Sequence, residues 1–157
     1  MAHSNLFKKE VAVISPTAPI EEAARLMRNY HVGSVVVVEP SEFGGLFPVG
    51  LLTDRDIVVE LVADGVDIHK VSVKDIMSPK PITALHTASL DELVQLMQSH
   101  RIRKIPIVDD KNHLVGFVSL DDLFEKVGHE LATLSQLSRY QQQLERDVRP
   151  ARPIRLS

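Results

Sequence analysis

The stretch Gly50-Leu51-Leu52-Thr53-Asp54-Arg55-Asp56 returns later in the chain as Gly116-Phe117-Val118-Ser119-Leu120-Asp121-Asp122. Each copy runs glycine, two apolar residues, a small hydroxyl residue, two variable residues and an aspartate. A chain that writes one unit twice is constrained to build it twice. The apolar run enters Thr or Ser, passes acids, and continues with helical spacing (Ile57, Val58, Leu61, Val62; Leu123, Phe124, Val127). This predicts a strand running into a helix in each copy. The hydroxyl at the strand end and the unpaired amides of the first helical turn suit an anion such as phosphate. An aspartate three residues on can accept hydrogen bonds from the vicinal hydroxyls of a ribose. The glycine lets a ligand or a neighbouring backbone come close. The same Thr, Ser and Asp residues also cap helices well with no ligand at all. Two copies at matching places in a larger repeat favour a shared site.

The larger repeat is visible in the order of elements. Val11 to Ile14 form a short apolar strand, and Ile20, Ala23, Ala24 and Met27 mark one face of a helix beyond Pro19. Val35 to Val38 is a β-branched run that reads as a buried strand, and Glu39 to Pro48 reads as a loop. The pattern restarts with Ile82 to Ala84. Leu90, Leu93, Val94 and Met97 repeat the helix face, and Ile105 to Val108 the strand, both at an offset of 70 residues. Ser89 and Glu92 form a capping-box signature ahead of that helix. The offset falls to 66 at Gly116, Ser119 and Asp122, which places four extra residues in the first copy's loop. The expectation is an α+β pair of pseudo-symmetric halves with boundaries at residues 1–9 (an arm, loosely docked), 10–70, 71–128 and 129–157.

Composition narrows the function classes. The chain of 157 residues is 44% apolar with 4% aromatics, so a globular protein with an aliphatic core is expected. It has no cysteine, which excludes disulfides and thiolate chemistry. No apolar run is long enough to span a bilayer, Met1 to Glu10 lacks a signal-peptide core, and a cytoplasmic location is expected. The formal net charge of −3 argues against a broad nucleic-acid surface. The seven histidines show no zinc-type spacing, although His31 and His100 lie near the expected phosphate-facing segments. There is no nucleophile turn, no Walker loop and no carboxylate pair set for acid–base work, so no enzyme activity is expected.

Met77-Ser78-Pro79, Ile102-Arg103-Lys104-Ile105-Pro106-Ile107-Val108-Asp109, Leu114 to Ser119 and the paired Gly/hydroxyl/Asp motif together resemble tandem CBS domains, the Bateman-module arrangement. The resemblance covers roughly Glu10 to Gly128. It implies two βαββα-type units packed through small sheets, clefts between the halves, and a regulatory protein that requires no cofactor. The implied ligand is adenosyl: AMP, ADP or ATP, with NAD-type ligands or S-adenosylmethionine as further members. By carry-over Thr53 and Ser119 would meet phosphate, Asp56 and Asp122 ribose, and the residues near Val13 and Ile82 the adenine. A homodimer regulating another protein is implied as well.

The copies differ in charge. Arg55 follows Thr53, whereas Asp121 stands at that place after Ser119; Arg101, Arg103 and Lys104 stand where the first copy has His31, Gly33 and Ser34. Arg55, Arg103 and Lys104 are therefore added as phosphate candidates, and two sites of unequal affinity are expected. The resemblance ends before the tail. There Leu131, Leu134, Leu137, Leu144 and Val148 suggest an amphipathic helix that packs on its own domain or on a dimer mate. Arg146, Arg149, Arg152 and Arg155 recur every third residue. The alternative reading is a structural interaction module with vestigial clefts that works through this tail.

Overall fold

A computed structural model describes residues 6–149. The chain divides into two compact units, Met1–Leu120 and Asp121–Ser157. The first contains β1 (Val13–Ile14), α1 (Ile20–Tyr30), β2 (Ser34–Pro40), β3 (Leu46–Thr53), α2 (Asp54–Ile57), α3 (Val73–Ile76), β4 (Ser78–Pro79), β5 (Ala84–Leu85), α4 (Leu90–His100), β6 (Lys104–Val108) and β7 (Leu114–Ser119). The second is carried by α5 (Leu120–Val148), a single helix where the sequence suggested a repeat helix followed by a separate tail helix.

The repeat is written into the hydrogen bonds as well as the sequence. β1 pairs parallel to β2 with Ile14 opposite Val37, and β5 pairs parallel to β6 with Ala84 opposite Ile107. β2 and β3, like β6 and β7, are antiparallel, and both pairs carry an irregularity at the same place, between Val37 and Val38 and between Ile107 and Val108. α1 and α4 both end on a left-handed residue, His31 (φ 53°) and Arg101 (φ 55°), 70 residues apart. The 70-residue offset makes Thr83, not Ile82, the partner of Val13, so the second repeat's short strand sits further along the chain than its apolar residues suggest.

Burial explains these elements. Val35 to Val38 are buried along their whole length, as Ile105 to Val108 are, as expected of strands covered on both faces; α1 packs against β2 and α4 against β6. Ile20, Ala23 and Met27 of α1 and Leu93 and Met97 of α4 are buried too. Ala24 and Val94, expected on the same faces, are exposed. The core contacts extend instead toward Leu26, on the Ala23 side of the stripe.

The connector is structured. Val73 N–H donates to Ala18 O (3.0 Å) and Lys74 N–H to Pro16 O (2.8 Å), so α3 closes over the first repeat, and Val73 is fully buried there. β4 then adds to the edge of β3, with Ser78 opposite Leu51 and Pro79 opposite Gly50. Residues 6–9 do the same for the second sheet, and are not the loose arm expected of them. Lys8 and Phe117 exchange both backbone hydrogen bonds at 2.9 Å. Lys8 precedes Ser78 by 70 residues, so the segment leading into each repeat completes the sheet of the other. β3 and β7 lie against each other within the unit.

Candidate functional site

The two repeated glycines admit protein. A Cβ on Gly50 would lie 2.4 Å from Met77 Sδ and 3.1 Å from Ser78 O. One on Gly116 would lie 2.2 Å from Phe7 Cδ2 and 2.9 Å from Lys8 O. Of the two roles open to these glycines, close approach of a neighbouring backbone is the one the structure displays. Phe7 and Met77 are again 70 residues apart, a spacing from which this contact was readable.

At the end of β3, Thr53 is the N-cap of α2. Its Oγ1 accepts from Asp56 N–H (3.1 Å), and Asp56 Oδ2 accepts from Thr53 N–H (2.8 Å), a reciprocal capping box. Both residues are half-buried. Capping leaves chemistry over. A hydroxyl that accepts from an amide keeps its own proton to donate, and a carboxylate using one oxygen retains the acceptor sites of the other. Asp54 N–H donates to Gly33 O (3.1 Å), and Asp54 Oδ1 accepts from Arg55 N–H (2.8 Å). Arg55 itself is exposed.

The second copy reproduces this frame with a change of charge. Ser119 pairs across the sheet with Lys104, as Thr53 does with Ser34. Leu120 N–H donates to Arg103 O (2.8 Å), the counterpart of the Asp54–Gly33 bond. Lys104 is half-buried where Ser34 is buried, and Arg103 is exposed. Two predicted phosphate residues, Ser119 and Lys104, are thus direct cross-strand neighbours. Asp122 lies in the first turn of α5 and is half-buried.

A cleft of about 700 Å³ beside β1 is lined by Val13, Ile14, Ser15, Thr17, Glu22 and Val38 among others. One of about 490 Å³ beside β5 is lined by Thr83, Ala84, Leu85, Thr87 and Glu92 among others. The two share the positions Val13/Thr83, Ile14/Ala84, Ser15/Leu85, Thr17/Thr87 and Glu22/Glu92, at the offset of 70, and differ beyond them, the first reaching the end of β2 and the second running along α4. Val13 faces the first, whereas neither Thr53 nor Asp56 lines it, and Ile82 does not line the second.

Three of the histidines among the described residues take local roles. His31 caps α1, His100 closes α4, and His69 Nδ1 lies 2.8 Å from Glu21 Oε1. His113, which the sequence did not single out, is the best packed of the histidines among the described residues. Its ring lies 5.1 Å from that of Phe47 and under Gly45, joining the first repeat's longer loop to the second repeat's turn. Asp109 organises that turn, accepting from the N–H of Lys111 and of His113 at 2.9 Å each. The bond from the His113 amide, with lesser help from Lys111, holds the Asp109 carboxyl below the usual carboxylate range. Among the described residues no group of three or more His, Cys, Asp or Glu is placed to hold a metal, and no helix is long and apolar enough to cross a membrane.

Two α+β repeats, each finished by the other's leading segment and each ending a strand on a hydroxyl residue (Thr53, Ser119), define a duplicated, pseudo-symmetric module. A sequence profile of the CBS domain matches residues 4–63 and 73–129, and the chain belongs to the CBS domain family. A CBS domain-containing protein of Bacillus subtilis is 42% identical over 114 residues, 73% of this chain and 76% of that one. The inosine-5'-monophosphate dehydrogenase of Thermoplasma acidophilum is 33% identical over 75% of this chain, which spans 22% of the enzyme. A CBS domain pair solved in complex with 5'-methylthioadenosine and S-adenosyl-L-methionine has the same fold, with a TM-score of 0.67, 24% identity, and coverage of 81% of this chain and 99% of that one.

Proposed function

We propose that the protein is a regulatory module that binds an adenosyl ligand (AMP, ADP, ATP, an NAD-type ligand or S-adenosylmethionine), catalyses no reaction of its own, and works as a cytoplasmic homodimer on another protein. One observation carries the reading: the hydroxyl–aspartate box at the end of β3 is built with donor and acceptor capacity to spare. In this reading Thr53 donates to a phosphate or equivalent polar group and Asp56 accepts from ribose hydroxyls. Ser119 and Lys104 form the corresponding phosphate end in the second repeat, with Arg55 and Arg103 adding charge. Asp122 takes the ribose role by its place in the repeat, and Val13 is the adenine candidate, with Thr83 as its repeat counterpart in place of Ile82. The solved CBS pair with two adenosyl ligands supports the ligand class. The dehydrogenase relative, in which the matching stretch is only 22% of the enzyme, is consistent with a module separate from catalysis.

Calorimetric titration with AMP, ADP, ATP, NADH and S-adenosylmethionine tests the reading. Saturable binding of one ligand is expected, weakened about tenfold or more by Asp56→Ala, consistent with loss of a charged hydrogen bond. The isosteric Asp56→Asn keeps an oxygen for the cap but loses the charge, so it should bind weakly while remaining as stable as the parent. Absence of binding by every ligand would replace this reading with the interaction module having vestigial clefts. That alternative is favoured by the Asp56 carboxylate already being engaged in the cap.

A further inference from the structure

The helix α5 exposes a row of large apolar side chains. Leu131, Leu134, Leu137, Tyr140, Leu144 and Val148 are all exposed, three of the leucines by 60% or more. Their spacing is not random. Leu134, Leu137, Gln141, Leu144 and Val148 alternate steps of three and four, the a and d positions of two heptads. Leu131 and Tyr140 flank this row, while Arg139 and Arg146 fall at the outermost position, away from it. At roughly 100 Å² recovered per side chain, six such residues from each of two copies remove about 1,200 Å² from water, the lower bound of a specific interface.

We propose that residues 131–148 of α5 form a parallel, in-register seam with the same residues of a second copy. Gln141 decides the direction. In the parallel arrangement it lies opposite its own twin, and two amides can hydrogen-bond to each other, as polar residues at a positions do when they fix register. An antiparallel arrangement that sets Leu134 against Leu144 puts Gln141 against Leu137 and buries an amide without a partner. Charge is compatible with self-pairing. The parallel register brings Tyr140 beside the partner copy's Glu145, a hydroxyl facing a carboxylate, and sets no like charges opposite each other along 134–148. The seam extends the homodimer proposed above by naming its contact, and it is independent of the adenosyl site.

The absence of cysteine from the chain makes the test clean. Gln141→Cys and Arg139→Cys are made separately in the full chain and oxidised, and the parent is weighed by sedimentation velocity over a concentration series. The parent should sediment as a dimer, Gln141→Cys should form a covalent dimer in high yield, and Arg139→Cys should not. Adding Leu137→Lys and Leu144→Lys, both at exposed positions where folding does not depend on them, should abolish the cross-link with circular dichroism unchanged. Equal cross-linking at both cysteines, none at Gln141→Cys, or a cross-link that survives the lysines overturns the seam. A dimeric parent with no Gln141→Cys cross-link overturns the seam alone, whereas a monomeric parent overturns the homodimer as well.

Discussion

Replacing Gly116 by alanine tests the exchange of edge segments most directly. The new Cβ would stand 2.2 and 2.6 Å from two carbons of the Phe7 ring and 2.9 Å from the Lys8 carbonyl. An aromatic ring bends little and a backbone carbonyl less, so the segment must lift from β7. Overpacking of this kind typically costs about 1–3 kcal/mol, and the lower entropy of an unfolded alanine returns about 0.4–1 of that. A net loss of about 1–2 kcal/mol is expected, or a fall of about 2–8 °C in midpoint for a chain of this size. Gly50→Ala meets chiefly the flexible Met77 thioether and should be milder. Thermal and urea unfolding would measure the loss. Hydrogen exchange should show the Phe117 and Lys8 amides, bonded to each other's carbonyls at 2.9 Å, losing protection first. Phe7→Ala in the Gly116→Ala background should restore part of the stability, the Lys8 carbonyl remaining in the way. A Gly116→Ala protein as stable as the parent, or a Phe7→Ala penalty that simply adds to it, would refute the packing argument.

Further outcomes follow from the caps and the turn. Thr53→Ala should lose about 1 kcal/mol and Thr53→Ser almost none, because the serine hydroxyl can still accept from the Asp56 amide; urea titration separates them. Asp75, whose carboxyl the Ser72 amide and hydroxyl hold low, and Asp109 both have folded-state values below the ordinary one. Their contribution is therefore complete above the unfolded carboxylate value near about 4 and disappears as pH falls through the lower folded value. NMR titration of the carboxyl carbons should find both below the ordinary range, and an Asp109 that titrates normally would contradict the turn geometry.

The duplication was legible because strand and helix periodicities survive substitution. Ile14 and Ala84, or Ala23 and Leu93, differ in size yet keep the same buried places. The antiparallel pairs could be anticipated from Val35 to Val38 and from the glycine-led runs, since a buried β-branched segment has few alternatives. What escaped were features whose signal is a contact between distant segments. Phe7 in a short polar arm reads as unanchored until its counterpart Met77 is seen over the equivalent glycine. Strand ends are set by pairing more than by residue type, which is why the second repeat's first strand is Ala84–Leu85 and not Ile82 to Ala84. His113 gave no motif, because its setting is made by Phe47 and Gly45 more than sixty residues away. In the candidate site the residue types announced both a cap and a ligand grip. The capping box follows from spacing alone, whereas a ligand's place depends on how the two repeats face each other.

The exchange of edge segments also bears on how a module of the proposed function would transmit a signal. β3 carries Thr53 at its end and pairs through Gly50 and Leu51 with Pro79 and Ser78, which lead directly into the second repeat. β7 carries Ser119 at its end and pairs at Phe117 with Lys8, which leads into the first. A ligand that shifts either hydroxyl-bearing strand end therefore acts on a strand whose edge is held by the other repeat's leading segment. Side-by-side repeats joined by a free linker would have no such tie. The Met77 and Phe7 contacts over glycine make the tie a packed one, and packed contacts resist partial displacement. Differential affinity for two arrangements of the edge segments is what a regulatory ligand would need, and these two glycine-seated contacts are where that difference can be stored.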